Sequence, residues 1–211
     1  MIPSFAVYLF DVDRTLVDSA LDICAAIQDT LVTYGRSDVT DAALRRYIGV
    51  HLLDTFLDLG CDPSQIDPMM VHYRRVYLAR KHAGTRVFPG IAEMLSRLDG
   101  KKSTATTKGT PTTRAVLEQF ELIRHFHHVQ GTDGFPAKPE PDVILRSIEA
   151  LGTVAEECLL VGDSAADMEA GQRAGVRTCA VRWGYGDVEE MAKWSPDYWI
   201  AEPAELLSHA Q

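Results

Sequence analysis

The sequence predicts an α/β protein: a parallel sheet flanked by helices, interrupted by an all-helical insert. Three observations predict it. Strand and helix signals alternate through most of the chain, as successive β-α-β units require. The first apolar run, Phe5-Ala6-Val7-Tyr8-Leu9-Phe10, has no polar position and no turn residue, as expected of a strand covered on both faces. Residues 17–85 break the rhythm, with helical periodicity and almost no strand signal.

In the insert, Ile23, Ile27 and Leu31 recur at i, i+4 and i+8 and line one helix face. Residues 40–48 read as a second helix ended by Gly49, and 51–59 as a third ended by Gly60. Asp67-Pro68 reads as the cap and first turn of a fourth helix, with Met69, Tyr73, Val76 and Tyr77 on one face. Residues 1–16 and 86–211 then form the α/β core, and 17–85 a helical domain with hinges near 17 and 85. Within the core, 89–98 is a helix and 102–106 a polar strand, supported more by β-branched content than by hydrophobicity. Thr110 can cap a helix with Pro111 in its first position. Residues 126–129 read as a short strand, and 142–151 as a helix stopped by Gly152. Thr153-Val154-Ala155-Glu156 reads as a capping box opening a short turn. A strand at 158–161, a helix at 165–174 ended by Gly175, and strands at 178–181 and 198–200 complete the set.

The chain has 211 residues and a formal net charge of −9, which argues against nucleic acid as a partner. No apolar stretch reaches the roughly 18 residues of a membrane span. The first residues lack the basic-then-apolar pattern of a secretory signal, so a cytoplasmic location is expected. Cys24, Cys61, Cys158 and Cys179 are widely spaced and read as buried reduced thiols. His125, His127 and His128 have no second ligand cluster and read as a solvated or partly packed strand start. Arg45, Arg46 and His51 flank the Tyr47-Ile48-Gly49 turn. They are solvated by default, with contact to a substrate carboxylate as the alternative.

The chemistry concentrates at predicted strand ends. Asp11 and Asp13 follow the first strand, and two anions so close call for a cation or a shared proton. Thr106-Thr107-Lys108-Gly109 follows the second strand, Lys138-Pro139-Glu140-Pro141-Asp142 the third and Gly162-Asp163-Ser164-Ala165-Ala166-Asp167 the fourth. Thr106 and the Thr107 N–H suit phosphate oxygens, and Lys138 suits the charge of a phosphoryl group. Asp163 with Asp11 suits the oxygen shell of Mg²⁺. Asp167, one helical turn past Asp163, is placed to accept a hydrogen bond from Lys138.

These four motifs, in this order and spacing, resemble the haloacid dehalogenase superfamily across essentially the whole chain. The insert resembles the small helical cap of its phosphoglycolate phosphatase-like branch, and Tyr47-Ile48-Gly49 and Arg182-Trp183-Gly184-Tyr185-Gly186 also fit that branch. The resemblance implies a Rossmann-like core with an inserted cap domain. It implies Asp11 as nucleophile, forming an aspartyl-phosphate, and Asp13 as the acid that protonates the leaving group and then the base that activates water. It implies Mg²⁺ held by the side chains of Asp11 and Asp163 and the backbone carbonyl of Asp13. Thr106, Thr107 and Lys138 would bind phosphate, with Asp167 in support. The expected substrate is a small phosphorylated metabolite, with 2-phosphoglycolate the first choice, and the expected assembly a monomer or homodimer. Arg14 stands where most relatives have Gly, which reads as a tolerated change that lends a cation to a substrate carboxylate or crowds the mouth of the site. A phosphomutase would use the same residues, and a non-catalytic phosphate binder is the distinct alternative. A dehalogenase would not need Asp13. A phosphonate hydrolase would need a cap lysine, for which the insert offers only Lys81 near its far hinge.

Overall fold

The computed structural model describes residues 2–207. In chain order, β1 (Val7–Phe10) leads through β2 (Val17–Asp18) into α1 (Ala20–Thr33), α2 (Asp41–Leu44), α3 (Leu52–Asp58) and α4 (Ile66–Ala79). The chain returns through β3 (Arg86–Val87), α5 (Ile91–Arg97), β4 (Lys101–Thr104), α6 (Thr110–Gln119) and α7 (Asp142–Leu151). It finishes with β5 (Cys158–Gly162), α8 (Ala165–Ala174), β6 (Arg177–Val181), α9 (Val188–Ala192) and β7 (Tyr198–Ile200).

Five strands form one parallel sheet in the order β4-β1-β5-β6-β7. The chain adds β4 on one side of β1 and β5 on the other, so the strand order reverses at β1. The crevice beyond the carboxyl end of such a switch point is where open α/β sheets bind ligands. The unbroken apolar run of β1 has its reason here: Tyr8 and Phe10 face one core layer, Val7 and Leu9 the other, against Val143, Ile144 and Ala170 of α7 and α8.

β4 lies at the sheet edge, and its buried polar side chains are accounted for by hydrogen-bond partners in the segments packed around it. Ser103 Oγ meets Ser147 Oγ of α7 at 3.1 Å, and buried Lys102 donates from Nζ to the carbonyls of Leu98 and Gly100. The strand expected at 126–129 does not form. Ser103 and His128 make only an isolated bridge, because His127 and His128 both donate to the single carbonyl of Lys102.

The helical unit joins the core through an antiparallel ribbon, with Val17 opposite Val87 and Asp18 opposite Arg86. Ile23, Ile27 and Leu31 of α1 are buried in one cluster with Met69, Tyr73 and Tyr77 of α4. Buried Asp22 ties the two ends of the unit together. It accepts from Arg80 Nε at 2.9 Å, Gly84 N–H at 2.9 Å and Thr85 Oγ1 at 2.8 Å.

Several local expectations shift. The 40–48 helix splits into α2 and a 3₁₀ turn at Arg45–Tyr47. Asp62 caps a 3₁₀ turn at Pro63–Gln65 by accepting from Ser64 N–H, and α4 follows it directly, so the helix is already under way at Asp67. Thr110 does not cap α6, since its hydroxyl accepts from Gly131 N–H instead. Thr153 turns to Glu157 rather than closing a capping box. All four cysteines are buried thiols. Among the described residues, no helix is long and apolar enough to cross a membrane.

Candidate active site

The predicted site residues gather at the switch point. Asp11 and Asp13 follow β1, Thr106 and Thr107 follow β4, Asp163 follows β5, and Asp167 sits in the first turn of α8. Lys138 arrives from the loop before α7. Asp11, Asp13, Lys138, Asp163 and Asp167 are all buried.

Lys138 is the node. Its ammonium donates to Asp11 Oδ1 at 2.8 Å, Asp167 Oδ1 at 2.5 Å and the Ala105 carbonyl at 2.8 Å. Burial opposes its charge, but Asp11 and Asp167 outweigh that and hold its pKa above the usual lysine range. Asp11 is pushed up to about 6 by burial, against the pull of Lys138. Asp163 is pushed up to about 7, again by burial and against Arg14. Both carboxylates therefore hold a proton more readily than exposed aspartates do.

Asp167 spends both its oxygens locally: Oδ1 takes Lys138, and Oδ2 accepts from Ser164 N–H and Oγ in a capping box. Space for it comes from Gly162, where a Cβ would fall 2.4 Å from the Asp167 carboxyl carbon. Asp163 is enclosed similarly. A Cβ on Gly186 would lie 1.5 Å from the Asp163 carbonyl oxygen, and Tyr185 N–H donates to Asp163 Oδ2 at 3.2 Å.

Asp13 turns its side chain away from this cluster. Ser19 Oγ donates to its Oδ1, and Lys108 Nζ stands 3.1 Å from its Oδ2. Lys108 also lies over the Tyr77 ring, 4.4 Å from the centroid, and 3.3 Å from the Tyr77 hydroxyl. Burial opposes its charge, but Asp13, Tyr73 and Asp11 together outweigh that and raise its pKa. Thr106 Oγ1 accepts from Lys108 N–H at 3.4 Å. Thr107 Oγ1 donates to the Gly49 carbonyl at 3.0 Å, which joins the core to the helical unit. The Thr107 N–H meets no acceptor among the described residues.

A pocket of about 60 Å³ lies between core and helical unit. Asp13, Thr107 and Lys108 form its floor, and Tyr47, His51, Tyr73 and Arg74 part of its roof. His51 was singled out from sequence; Arg74 was not. Arg46 pairs instead with Tyr47 and Asp58, and Arg45 lines a separate groove with Arg80.

The donor set fits a divalent cation that prefers oxygen. Asp11, Asp163 and Asp167 bring carboxylate oxygens within 4.8 Å of one another. Asp163 Oδ1 is buried with no hydrogen-bond partner, an arrangement too costly to leave uncompensated. Asp167 is already fully engaged, so Asp11 and Asp163 are the better ligands of the three.

Sequence reasoning missed Lys108, although it lies inside a motif that was singled out. Its signal was position: it follows the threonine pair directly. Ser19, which closes the motif that begins at Asp11, and Tyr77, on the apolar face of its helix, were given no role in the site, because only folding brings α1 and α4 over it. The Gly184-Tyr185-Gly186 loop was noticed without a role, and its glycines make room for Asp163.

An aspartate pair, a threonine pair, a buried lysine and a further aspartate, each at or near a strand end of a parallel switch-point sheet, define a haloacid dehalogenase-like architecture. The family model described as haloacid dehalogenase-like hydrolase matches residues 8–181, and the chain belongs to that family. It is 32% identical to a phosphoglycolate phosphatase of Aquifex aeolicus, over 95% of this chain and 94% of the relative. It is 30% identical to a 5′-nucleotidase of Pseudomonas aeruginosa, over 94% of this chain and 92% of the relative. A solved haloacid dehalogenase-like family hydrolase from Streptococcus pneumoniae superposes with a TM-score of 0.86 at 26% identity, covering 96% of this chain and 97% of that one. With phosphatase relatives matched over nearly its whole length, the chain stands among the phosphoric monoester hydrolases of the family.

Proposed function

We propose that this chain is a Mg²⁺-dependent phosphatase of a small phosphorylated metabolite, with 2-phosphoglycolate its substrate, acting through an aspartyl-phosphate on Asp11. One observation carries the reading: buried Asp11 and Asp163 converge beside Lys138, with Asp163 Oδ1 left without a partner. The helical unit is the cap.

Asp11 attacks phosphorus through Oδ2, since Lys138 holds Oδ1. Lys138 stays charged and offsets the anion that builds between Asp11 and the phosphoryl group. The Thr107 N–H and Thr106 hydroxyl bind phosphate oxygens. Lys108 moves from Asp13 toward the incoming phosphate, which leaves Asp13 Oδ2 able to carry a proton to the leaving oxygen. Asp13 then takes a proton from the water that cleaves the phosphoenzyme. Asp11, Asp163 and the Asp13 carbonyl would hold Mg²⁺, which keeps Asp11 ionised and screens its approach to an anionic substrate.

Two observations support a small, acidic substrate. The pocket is small, about 60 Å³, and its lining places the cations Lys108 and Arg74 against the single carboxylate of Asp13, while burial disfavours the charged form of His51. The curated relatives carry different substrate names, so the test is a panel. Purified protein with Mg²⁺ is expected to release phosphate from 2-phosphoglycolate faster than from nucleoside monophosphates, and not to do so after chelation. Faster turnover of nucleotides would replace the substrate. Conversion of a sugar phosphate to its isomer without free phosphate would support the mutase reading.

A further inference from the structure

Arg14 occupies an unusual position for its residue type. Its φ is 68°, in the left-handed region that disfavours side chains with a Cβ. Its side chain is nonetheless buried in the site, with Nε 3.1 Å from Asp163 Oδ2. The other end of the guanidinium lies against the cap turn: a Cβ on Gly49 would fall 2.9 Å from Arg14 Nη2. Gly49 has φ 87° and is the residue whose carbonyl accepts from Thr107. One side chain thus touches both the candidate metal ligand and the turn that closes the cap. Backbone strain of this kind persists only where surrounding contacts enforce it.

Arg14 pairs with Oδ2 of Asp163, whereas Oδ1 carries no hydrogen bond. A cation can therefore reach Oδ1 without first breaking the ion pair, but it arrives within a few ångströms of a fixed positive charge in a buried site. Repulsion there is far stronger than in water.

We propose that Arg14 couples cap position to occupancy of the divalent-cation site. Its guanidinium balances Asp163 and braces the Gly49 turn when no ion is bound; an ion on Asp163 repels it and loosens that brace. Because such coupling is reciprocal, the brace in turn weakens cation binding. The inference rests on the proposed Mg²⁺ site.

The test uses Mg²⁺ itself, with titration calorimetry for affinity and hydrogen exchange of the peptide covering residues 45–52 for the turn. Arg14→Gly and Arg14→Asn remove the charge and suit the left-handed backbone, so both are expected to fold. Each should bind Mg²⁺ about tenfold more tightly or better, by removal of a buried like charge. Arg14→Lys, which keeps the charge, should stay within about threefold of wild type on the same ground. In wild type, Mg²⁺ should speed exchange in 45–52, and in Arg14→Gly it should not. Equal or weaker Mg²⁺ affinity in both neutral variants overturns the coupling, as does a wild-type turn indifferent to Mg²⁺. Absence of Mg²⁺ binding in wild type and in both neutral variants removes the metal site as well, which separates the two failures.

Discussion

Lys138 joins Asp11 to Asp167 through one ammonium group, with Nζ–O distances of 2.8 and 2.5 Å. The residue proposed to attack phosphorus and a residue in the first turn of α8 are thereby fixed to each other, although 156 positions apart in the chain (167 minus 11). Removing the ammonium leaves two buried carboxylates facing each other. Lys138→Met is expected to lower kcat by about 10²–10³-fold, as loss of a preorganised charge at a reacting centre does. Steady-state kinetics on p-nitrophenyl phosphate checks this, and unchanged kcat would remove Lys138 from the mechanism.

Asp13 is held by Ser19 and Lys108 and faces the pocket. If it protonates the leaving oxygen, its loss matters most for poor leaving groups. Asp13→Asn is expected to slow phosphorylation from an alkyl phosphate by about 10²–10⁴-fold. The burst of p-nitrophenol, an acidic leaving group, should suffer much less. Equal slowing of both substrates in rapid-quench experiments would assign Asp13 another role.

Stability should depend on pH in a direction opposite to that of most carboxylate-rich sites. Burial raises Asp11 from 3.8 to about 6 and Asp163 from 3.8 to about 7 in the metal-free protein. A raised folded-state pKa contributes stability that is full below about 4 and is lost as pH rises through 6 to 7. The cation-free protein should therefore lose on the order of a few kcal/mol between pH 4 and pH 8 from these two groups. Asp163→Asn, neutral throughout, should flatten the profile in urea titrations. A wild-type profile already flat from pH 4 to pH 8 would contradict the assigned burial effect.

Asp22 is the structural counterpart of the site carboxylates. Fully buried, it satisfies Arg80, Gly84 and Thr85 at the base of the helical unit. Asp22→Ala is expected to destabilise the protein by about 3 kcal/mol, since it leaves a cation and buried donors unpaired. Chemical denaturation measures the loss. A change below about 0.5 kcal/mol, the range of a surface substitution, would show that the knot holds nothing.

Much of this fold was legible because its signals are local. The buried run of β1, the helix stops at Gly152 and Gly175, the three motifs at strand ends and the Lys138 loop each state their role within a few residues. The parts that were not legible depend on distant partners. Residues 126–129 have strand composition, but the Lys102 carbonyl takes both neighbouring N–H groups and leaves only a bridge. Thr110 has the composition of a cap, but Gly131 claims its hydroxyl. The side chain of Asp13 leaves the acidic cluster because Ser19 and Lys108 draw it toward the pocket, and that could not be read from D-x-D spacing. Arg74 reaches the pocket from α4 and carries no motif at all.

The central claim is that phosphate passes through Asp11, and it can be observed directly. Asp13→Asn is expected to slow hydrolysis of the phosphoenzyme, so that variant is mixed with p-nitrophenyl phosphate and Mg²⁺, quenched in acid within the first turnover and digested for mass spectrometry. A phosphoryl group on the peptide containing Asp11, absent from Asp11→Asn/Asp13→Asn, is the predicted result. Stoichiometric release of p-nitrophenol with no phosphoryl group on Asp11 would contradict the account.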